Sequence, residues 1–337
     1  MPNPPPSDPN SPNPRRLLEM AWGYASPMIL SAAVHHRIFD LLDAGPKTAV
    51  EVSKSNGASL RGVRAIMNAL TGFELLSKDA NERYALTPES AMFLVKGKPG
   101  YIGGFMRHGD ALIPKWLKLS EIVQTGKPAM AVNREDDGSE FFESFVEDLF
   151  GVNFPPAQAL AAAVPNGKRV LDIAAGSAVW SIPLAQRSKD VRVTAVDWPG
   201  VLPATRRMTE RFRVVDQYEF RAGNIETVAF GDGYDVAILG HILHSQGERK
   251  SRDLLGKVFG ALAPGGTIAI AEFLANDNRT GPPMPMLFAV NMLVNTEEGD
   301  TFTPPEIFGW LTEAGFENPR VLEVPSPSPL ILADKPA

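Results

Sequence analysis

From Arg15 onward the apolar positions fall three and four apart through LLEMAWGYASPMILSAAVHHRIFDLLDAG, the spacing of a helix packed along one side, until Gly45-Pro46 ends the run. TAVEVSKSNG and SLRGVRAIMNALTGFELL repeat that spacing, and SKDANERYALTPES alternates around a turn. Helix, helix and short β-hairpin are therefore predicted, the pattern of a winged helix with residues 60–76 as its second helix. Further helices are predicted over 110–124 and 141–150, joined by the polar stretch EDDGSE as a loop. At VPNGK, residues 164–168, the period changes. VLDI, VRVTAVD, YEFRAG, YDVAILG and TIAIAEF read as buried strands, alternating with helical SIPLAQR and SRDLLGKVFGAL. That alternation predicts an α/β fold, a Rossmann-like doubly wound sheet, with VLEVPSPSPLILADK as a closing hairpin. The expected organisation is a disordered tail over 1–14, a mostly helical region over 15–163 and the sheet domain over 164–337.

Composition narrows this picture. MPNPPPSDPNSPNP holds seven prolines and too little apolar surface to order itself. The whole chain of 337 residues is 44% hydrophobic, enough for real cores. A net charge of −6 gives no footprint for nucleic acid or an anionic membrane. The winged helix agrees, since its second helix offers only Arg61 and Arg64 beside the apolar MNALTGFELL. It is expected to serve packing or dimerisation rather than DNA reading. With no cysteine there is neither a disulfide framework nor a thiol nucleophile. No stretch reads as a membrane span or a signal peptide, so a cytoplasmic protein is expected.

The chemistry is expected where strand VLDI turns into AAGSAVW. A dinucleotide fingerprint asks for glycine at 174, 176 and 179, but the chain has Ala174, Gly176 and Val179. NAD is disfavoured, because those glycines admit the pyrophosphate and close helix packing. S-adenosylmethionine asks for less, one close backbone approach and an acid after the second strand for the ribose hydroxyls. Asp197 ends that strand, about twenty residues past the turn. Taken alone, Asp197 also reads as a helix cap and Asp172 as a buried acid held by backbone groups.

LDIAAGSA, AVDWPGVL, AGNIE, YDVAILGHILHS and ALAPGGTIAIAEF stand in the order and spacing of class I S-adenosylmethionine-dependent methyltransferases. More narrowly, the chain from about Ala25 to its C-terminus resembles the caffeic-acid/acetylserotonin type of small-molecule O-methyltransferase. That resemblance implies a homodimer built through the winged-helix module and capping helices over the acceptor. It puts Asp172, Ala174 and Gly176 around the methionine portion of the cofactor, Asp197 on the ribose, and Asn224 and Ile225 beside the adenine. Gly240 joins the cofactor set. Ala174 and Ala175 stand where relatives carry a glycine pair and fit there if both keep negative φ.

The same resemblance makes His244 the general base for the acceptor hydroxyl and Glu272 the acid that orients it. A second orienting acid is replaced by Thr301, with Glu297, Glu298 and Asp300 nearby to substitute. Ser245-Gln246 follow the histidine where relatives carry an acid or amide and then tryptophan. Residues 284–294, with Met286, Phe288 and Asn291, are expected to line the acceptor pocket together with Trp116, Met106, Phe105 and Phe150. Asn291 is an amide in an apolar helix and wants a partner, for which a substrate hydroxyl is one candidate. No metal is expected. The function implied is methylation of an aromatic or polyketide-like hydroxyl; the alternative is a ligand sensor that kept the fold without the chemistry.

Overall fold

The computed structural model describes residues 13–324, 326 and 328–337. The expected tail therefore lies, but for its last two residues, outside the described residues. The chain divides into two compact units, the first ending at Asp110 and the second starting at Ala111. The change of period at residue 164 marks where strands begin, whereas the helices before it already belong to the second unit.

The first unit runs α1 Arg15–Ala21, α2 Ala25–His35, α3 Ile38–Leu42, β1 Lys47–Thr48, α4 Ala49–Asn56, α5 Leu60–Gly72, β2 Leu76–Lys78, β3 Arg83–Leu86, α6 Pro88–Phe93 and α7 Gly103–Met106. Thr48 and Thr87 close capping boxes that start α4 and α6. Val63, Met67 and Leu70 recur at helical spacing on α5 and are buried with Ile38, Phe39, Val52 and Tyr84. Arg61 and Arg64 stay exposed. β3 pairs antiparallel with both β1 and β2, which forms the wing. By length and composition alone Arg15–His35, of mean hydropathy 1.2, would be long and apolar enough to cross a membrane. A turn over 22–24 breaks it into α1 and α2.

In the second unit, α8 Gly109–Trp116, which begins at the boundary, is followed by α9 Leu119–Thr125, α10 Glu135–Asp148 and α11 Phe150–Ala163. EDDGSE is the start of α10 and not a loop. Acids such as Glu135 and Asp136 suit the positive end of a helix, so a composition that looks like a linker is here a helix N-terminus. The sheet strands are β4 Arg169–Ile173, β5 Arg192–Asp197, β6 Tyr218–Ala222, β7 Tyr234–Gly240, β8 Leu262–Ala271, β9 Glu317–Leu322 and β10 Leu330–Asp334. Helices α12 Ile182–Arg187, α13 Leu202–Arg211, α14 Leu243–Ala261, α15 Pro283–Asn295 and α16 Pro304–Glu313 complete it.

The strand order is β6-β5-β4-β7-β8-β10-β9, parallel up to β8, with β10 and β9 returning antiparallel as the predicted hairpin. Side chains alternate across this sheet. Leu171, Ile173, Leu239 and Ile270 pack with α14 and α16, whereas Val170, Val193, Ile238 and Ala269 pack with α11 and α12. With both faces covered, the parallel strands read as near-continuous apolar runs. The order reverses beside β4, and a crevice outside the carboxyl ends of β4, β5 and β7 follows from that topology.

Candidate active site

The crevice is a cleft whose walls include Ala174, Gly176, Asp197, Asn224, Ile225 and Gly240. These six expected residues are brought together from the ends of β4, β5 and β7 and from the loop after β6. Asp197 organises them. Its Oδ2 accepts the Gly176 N–H at 2.8 Å and its Oδ1 the Trp198 N–H at 2.7 Å. Burial pushes this carboxyl up to about 6, against the pull of those two donors. Thr205 Oγ1 donates to the Gly176 carbonyl at 2.6 Å and fixes the far side of the turn. At Gly176, φ is +53° and a Cβ would meet Val146 at 3.1 Å, so both backbone and space favour glycine there.

The expectation for the alanines holds for only one of them. Ala175 keeps a negative φ, but Ala174 sits at +52° and Ala178 at +55°, in the left-handed region that glycine tolerates. The physical reason is the tie to β5. To present Gly176 N–H to Asp197 while Ala175 N–H donates to the Val196 carbonyl, the backbone must double back sharply.

Asp172 stands behind the wall, since it is buried in β4 and is absent from the residues lining the cleft. Its Oδ2 accepts from Ser181 Oγ, which also meets the Tyr218 hydroxyl at 3.0 Å, while its Oδ1 has no partner. Burial raises its pKa to about 7, with the nearby Asp197 adding to the shift. The Asn224 amide oxygen accepts the Glu226 N–H at 2.9 Å, which leaves one lone pair for a ligand. Gly240 is needed for shape: a Cβ there would come within 2.2 Å of the Trp180 ring.

His244 enters from the first turn of α14. Its Nδ1 lies 2.7 Å from Glu272 Oε2, and its backbone N–H donates to Glu272 Oε1 at 3.2 Å. Burial alone would raise the Glu272 carboxyl, but the two histidines outweigh it and the carboxyl ends below its usual range. The ionised Glu272 accepts a hydrogen bond from Nδ1–H, which leaves Nε2 with a free lone pair. Thr301 does not replace the second acid. Its hydroxyl donates to the Pro285 carbonyl at 3.2 Å. Nor do its neighbours substitute: Glu297 pairs with Arg134 and Asp300 with Arg279, and Glu298 is exposed. The loop instead meets the histidine through its backbone, where the Asp300 N–H donates to the His244 carbonyl at 2.9 Å.

The expected acceptor residues divide. Phe288 meets the His244 ring edge-on at 4.9 Å and Phe273 at 4.4 Å, so an aromatic wall stands beside the base. Asn291 already has a partner one turn along, its Oδ1 accepting from Asn295 Nδ2 at 3.0 Å. Phe150 stacks on Phe154 and Phe212 in the core, which removes it from a pocket role. Met286 and Trp116 are half-buried on α15 and α8. Met106 and Phe105 belong to α7 of the first unit, where Met106 packs on that unit's core. Sequence reasoning missed Trp180, Trp198, Phe142 and Asn133, which all line the cleft. Asn133 Oδ1 is buried without a hydrogen-bond partner among the described residues. Trp198 had a readable signal, since it directly follows Asp197 in AVDWPGVL.

Residues 18–96 match the O-methyltransferase dimerisation domain and residues 119–317 the O-methyltransferase domain. The chain is 31% identical over 322 residues to 3-hydroxy-5-methyl-1-naphthoate 3-O-methyltransferase of Streptomyces sahachiroi, covering 93% of this chain and 92% of that protein. It is 28% identical to the tetracenomycin polyketide synthesis 8-O-methyl transferase TcmO of Streptomyces glaucescens, covering 96% and 97%. In fold it is similar to human N-acetylserotonin methyltransferase, solved in complex with SAM, with a TM-score of 0.83 at 23% identity over 98% of this chain and 100% of that one.

Two outcomes follow from the turn. Ala174→Gly relieves a left-handed alanine and should stabilise the protein by about 0.5–1 kcal/mol in urea melts, where an ordinary alanine-to-glycine change destabilises. Loss of stability in that variant would refute the strain. Asp172 has its pKa raised from an ordinary value near 3.8 to about 7, so the stabilisation it gives as a neutral acid is complete below about pH 4 and lost as pH rises through 7. Asp172→Asn removes the buried charge, and melts at pH 5 and pH 8 should show the variant gaining on the parent at the higher pH.

Proposed function

Because the chain belongs to the O-methyltransferase family, we propose that it moves the methyl group of S-adenosylmethionine to a hydroxyl of a small aromatic or polyketide-like acceptor, with His244 as general base. The observation that carries this reading is the His244–Glu272 pair at 2.7 Å on the same cleft as the Asp197 carboxylate. The cleft fits the cofactor in its chemistry. Asp197 offers acceptors for ribose hydroxyls, Asn133 Oδ1 is a buried acceptor with no partner, and Phe142, Trp198 and Ile225 give an apolar enclosure for a base. Gly176 and Gly240 line the cleft beside Val146 and Trp180, whose side chains fill the space a Cβ would take, and Asn224 flanks the adenine end. Ala174 belongs to the turn that faces the methionine end, while Asp172 supports that turn from behind.

When bound, S-adenosylmethionine supplies a methyl group on a sulfonium, activated for in-line displacement. The protein has then to align the acceptor, exclude water and take up one proton. His244 accepts the hydroxyl proton at Nε2 while Nδ1–H stays on Glu272, and the ionised Glu272 stabilises the imidazolium that forms. Phe288 and Phe273 give a planar acceptor a flat surface beside the base. Met286 and Trp116 remain the proposed outer acceptor contacts. A sensor without chemistry is less well supported, because the base and its orienting carboxylate both persist. The cytoplasm is the proposed compartment, in keeping with the absence of cysteine.

His244→Gln should lower turnover of a phenol of ordinary acidity by about a hundredfold or more, with S-adenosylmethionine binding by calorimetry nearly intact. Parent-like turnover would make His244 structural; cofactor binding without methylation of any phenol by the parent would favour the sensor.

The chain is also proposed to act as a homodimer through its dimerisation domain. Leu18, Met20, Trp22 and Tyr24 expose most of their apolar surface in the single chain, at 58%, 68%, 67% and 63%. A second copy would cover them. Light scattering should give about twice the 36.5 kDa chain mass, and replacing Met20 and Trp22 by serine should shift it toward one.

A further inference from the structure

His241 has no place in the mechanism so far, yet it is built into the cleft wall three residues before the base. Its backbone is left-handed, with φ +60°, and is pinned by its N–H to the Ala271 carbonyl at 2.9 Å. The side chain stands between Trp180 and Phe273, with ring centroids 5.9 and 5.0 Å away, and 6.0 Å from the His244 ring. Its ring makes no hydrogen bond to any described residue, and Nδ1 is buried without a partner. Burial pushes its pKa down to about 4, so at neutral pH the ring is uncharged and offers one donor and one acceptor. A strained backbone holding an unpaired imidazole is unfavourable twice over, and such positions cluster where a ligand completes the arrangement.

We propose that His241 hydrogen-bonds a second oxygen on the acceptor ring, ortho or meta to the hydroxyl that His244 deprotonates, so that the acceptors are aromatics whose two oxygens stand ortho or meta, and not para, to each other. This rests on the methyltransferase reading above. A ring nitrogen of His241 lies within 4.8 Å of one on His244. Ortho oxygens are separated by roughly a short O–H···O distance, ~2.7 Å, and meta oxygens by about twice that at most, so either spacing lets both imidazoles be reached at once. Para oxygens point in opposite directions and cannot face one wall together. The neutral ring suits a hydroxyl or a carbonyl equally, because it can donate or accept. Trp180 and Phe273 flank it with apolar faces, which keeps water from competing for the bond.

Catechol, resorcinol and hydroquinone test this with three isomers of equal composition and equal numbers of hydroxyls. The parent should favour catechol or resorcinol over hydroquinone by about tenfold in kcat/KM, the worth of one buried hydrogen bond. His241→Phe should bring that ratio close to one, and His241→Asn, which keeps a donor and an acceptor, should retain more of it. If His241→Phe fails to fold, as judged by its thermal melt, His241→Leu takes its place. Calorimetric binding of the three isomers to the protein loaded with S-adenosylmethionine makes the same comparison without turnover. Binding that discriminates while no isomer is methylated would sink the methyltransferase reading and keep this role for His241. Equal binding and turnover of the three by the parent, or a preference that survives in His241→Phe, would overturn the proposal.

Discussion

The Asp197 carboxylate ties together the two chain segments on which the cleft depends. One oxygen holds the Gly176 N–H from the turn after β4, and the other holds the Trp198 N–H that starts the connection after β5. Charged acceptors make short, strong bonds to backbone donors, and here both are sheltered from water. Everything around the turn follows from that double tie. Ala174 and Ala178 accept left-handed backbone, Gly176 approaches Val146, and Thr205 clamps the carbonyl on the opposite side. The same burial that strengthens the tie also disfavours the charge that makes it, which is why the carboxyl rises to about 6. A ligand that donates to Asp197 adds to the ionised form and relieves this opposition.

A second arrangement converges on the same cleft from β8. Glu272 holds both the ring and the backbone of His244, so the orientation of the imidazole is set by one carboxylate at two points. That double contact explains how the site dispenses with the acid replaced by Thr301. The neighbouring loop contributes through Asp300 N–H and not through charge, and its carboxylates are turned outward to arginines.

The sheet was legible because parallel strands buried on both faces must be apolar almost throughout, and VLDI, VRVTAVD and YDVAILG are. The strand-end residues were legible as well, since topology carries Asp197, Asn224 and Gly240 to one crevice wherever the strands are parallel. What the sequence hid was direction and partnership. Asp172 is only two residues from Ala174, yet it still lies in β4 with its side chain on Ser181, whereas Ala174 has left the strand for the left-handed turn that lines the cleft. Asn291 looked unsatisfied until Asn295, one helical turn later, supplied its bond. Asn133, in the turn before α10, and Phe142, within α10, belong to no motif, and their place on the wall is a property of packing alone. EDDGSE misled because acids and glycine favour both loops and helix starts.

The kink at Gly247 sets how this site can change over time. Within α14, between Leu243 and Ala261, this one residue leaves helical backbone at φ +73°, and its missing Cβ makes room for the Glu298 backbone, 2.7 Å from where that atom would stand. The turn that carries His244 is therefore not a rigid extension of the long helix beyond it. It is held by Glu272 on one side and by the loop at Asp300 on the other. Mutations that rotate or slide the outer helix are absorbed at a single glycine before they reach the base. Gly247 itself, at φ +73° with the Glu298 carbonyl oxygen 2.7 Å from where a Cβ would stand, is therefore a position where any side chain is costly, although it never touches a ligand.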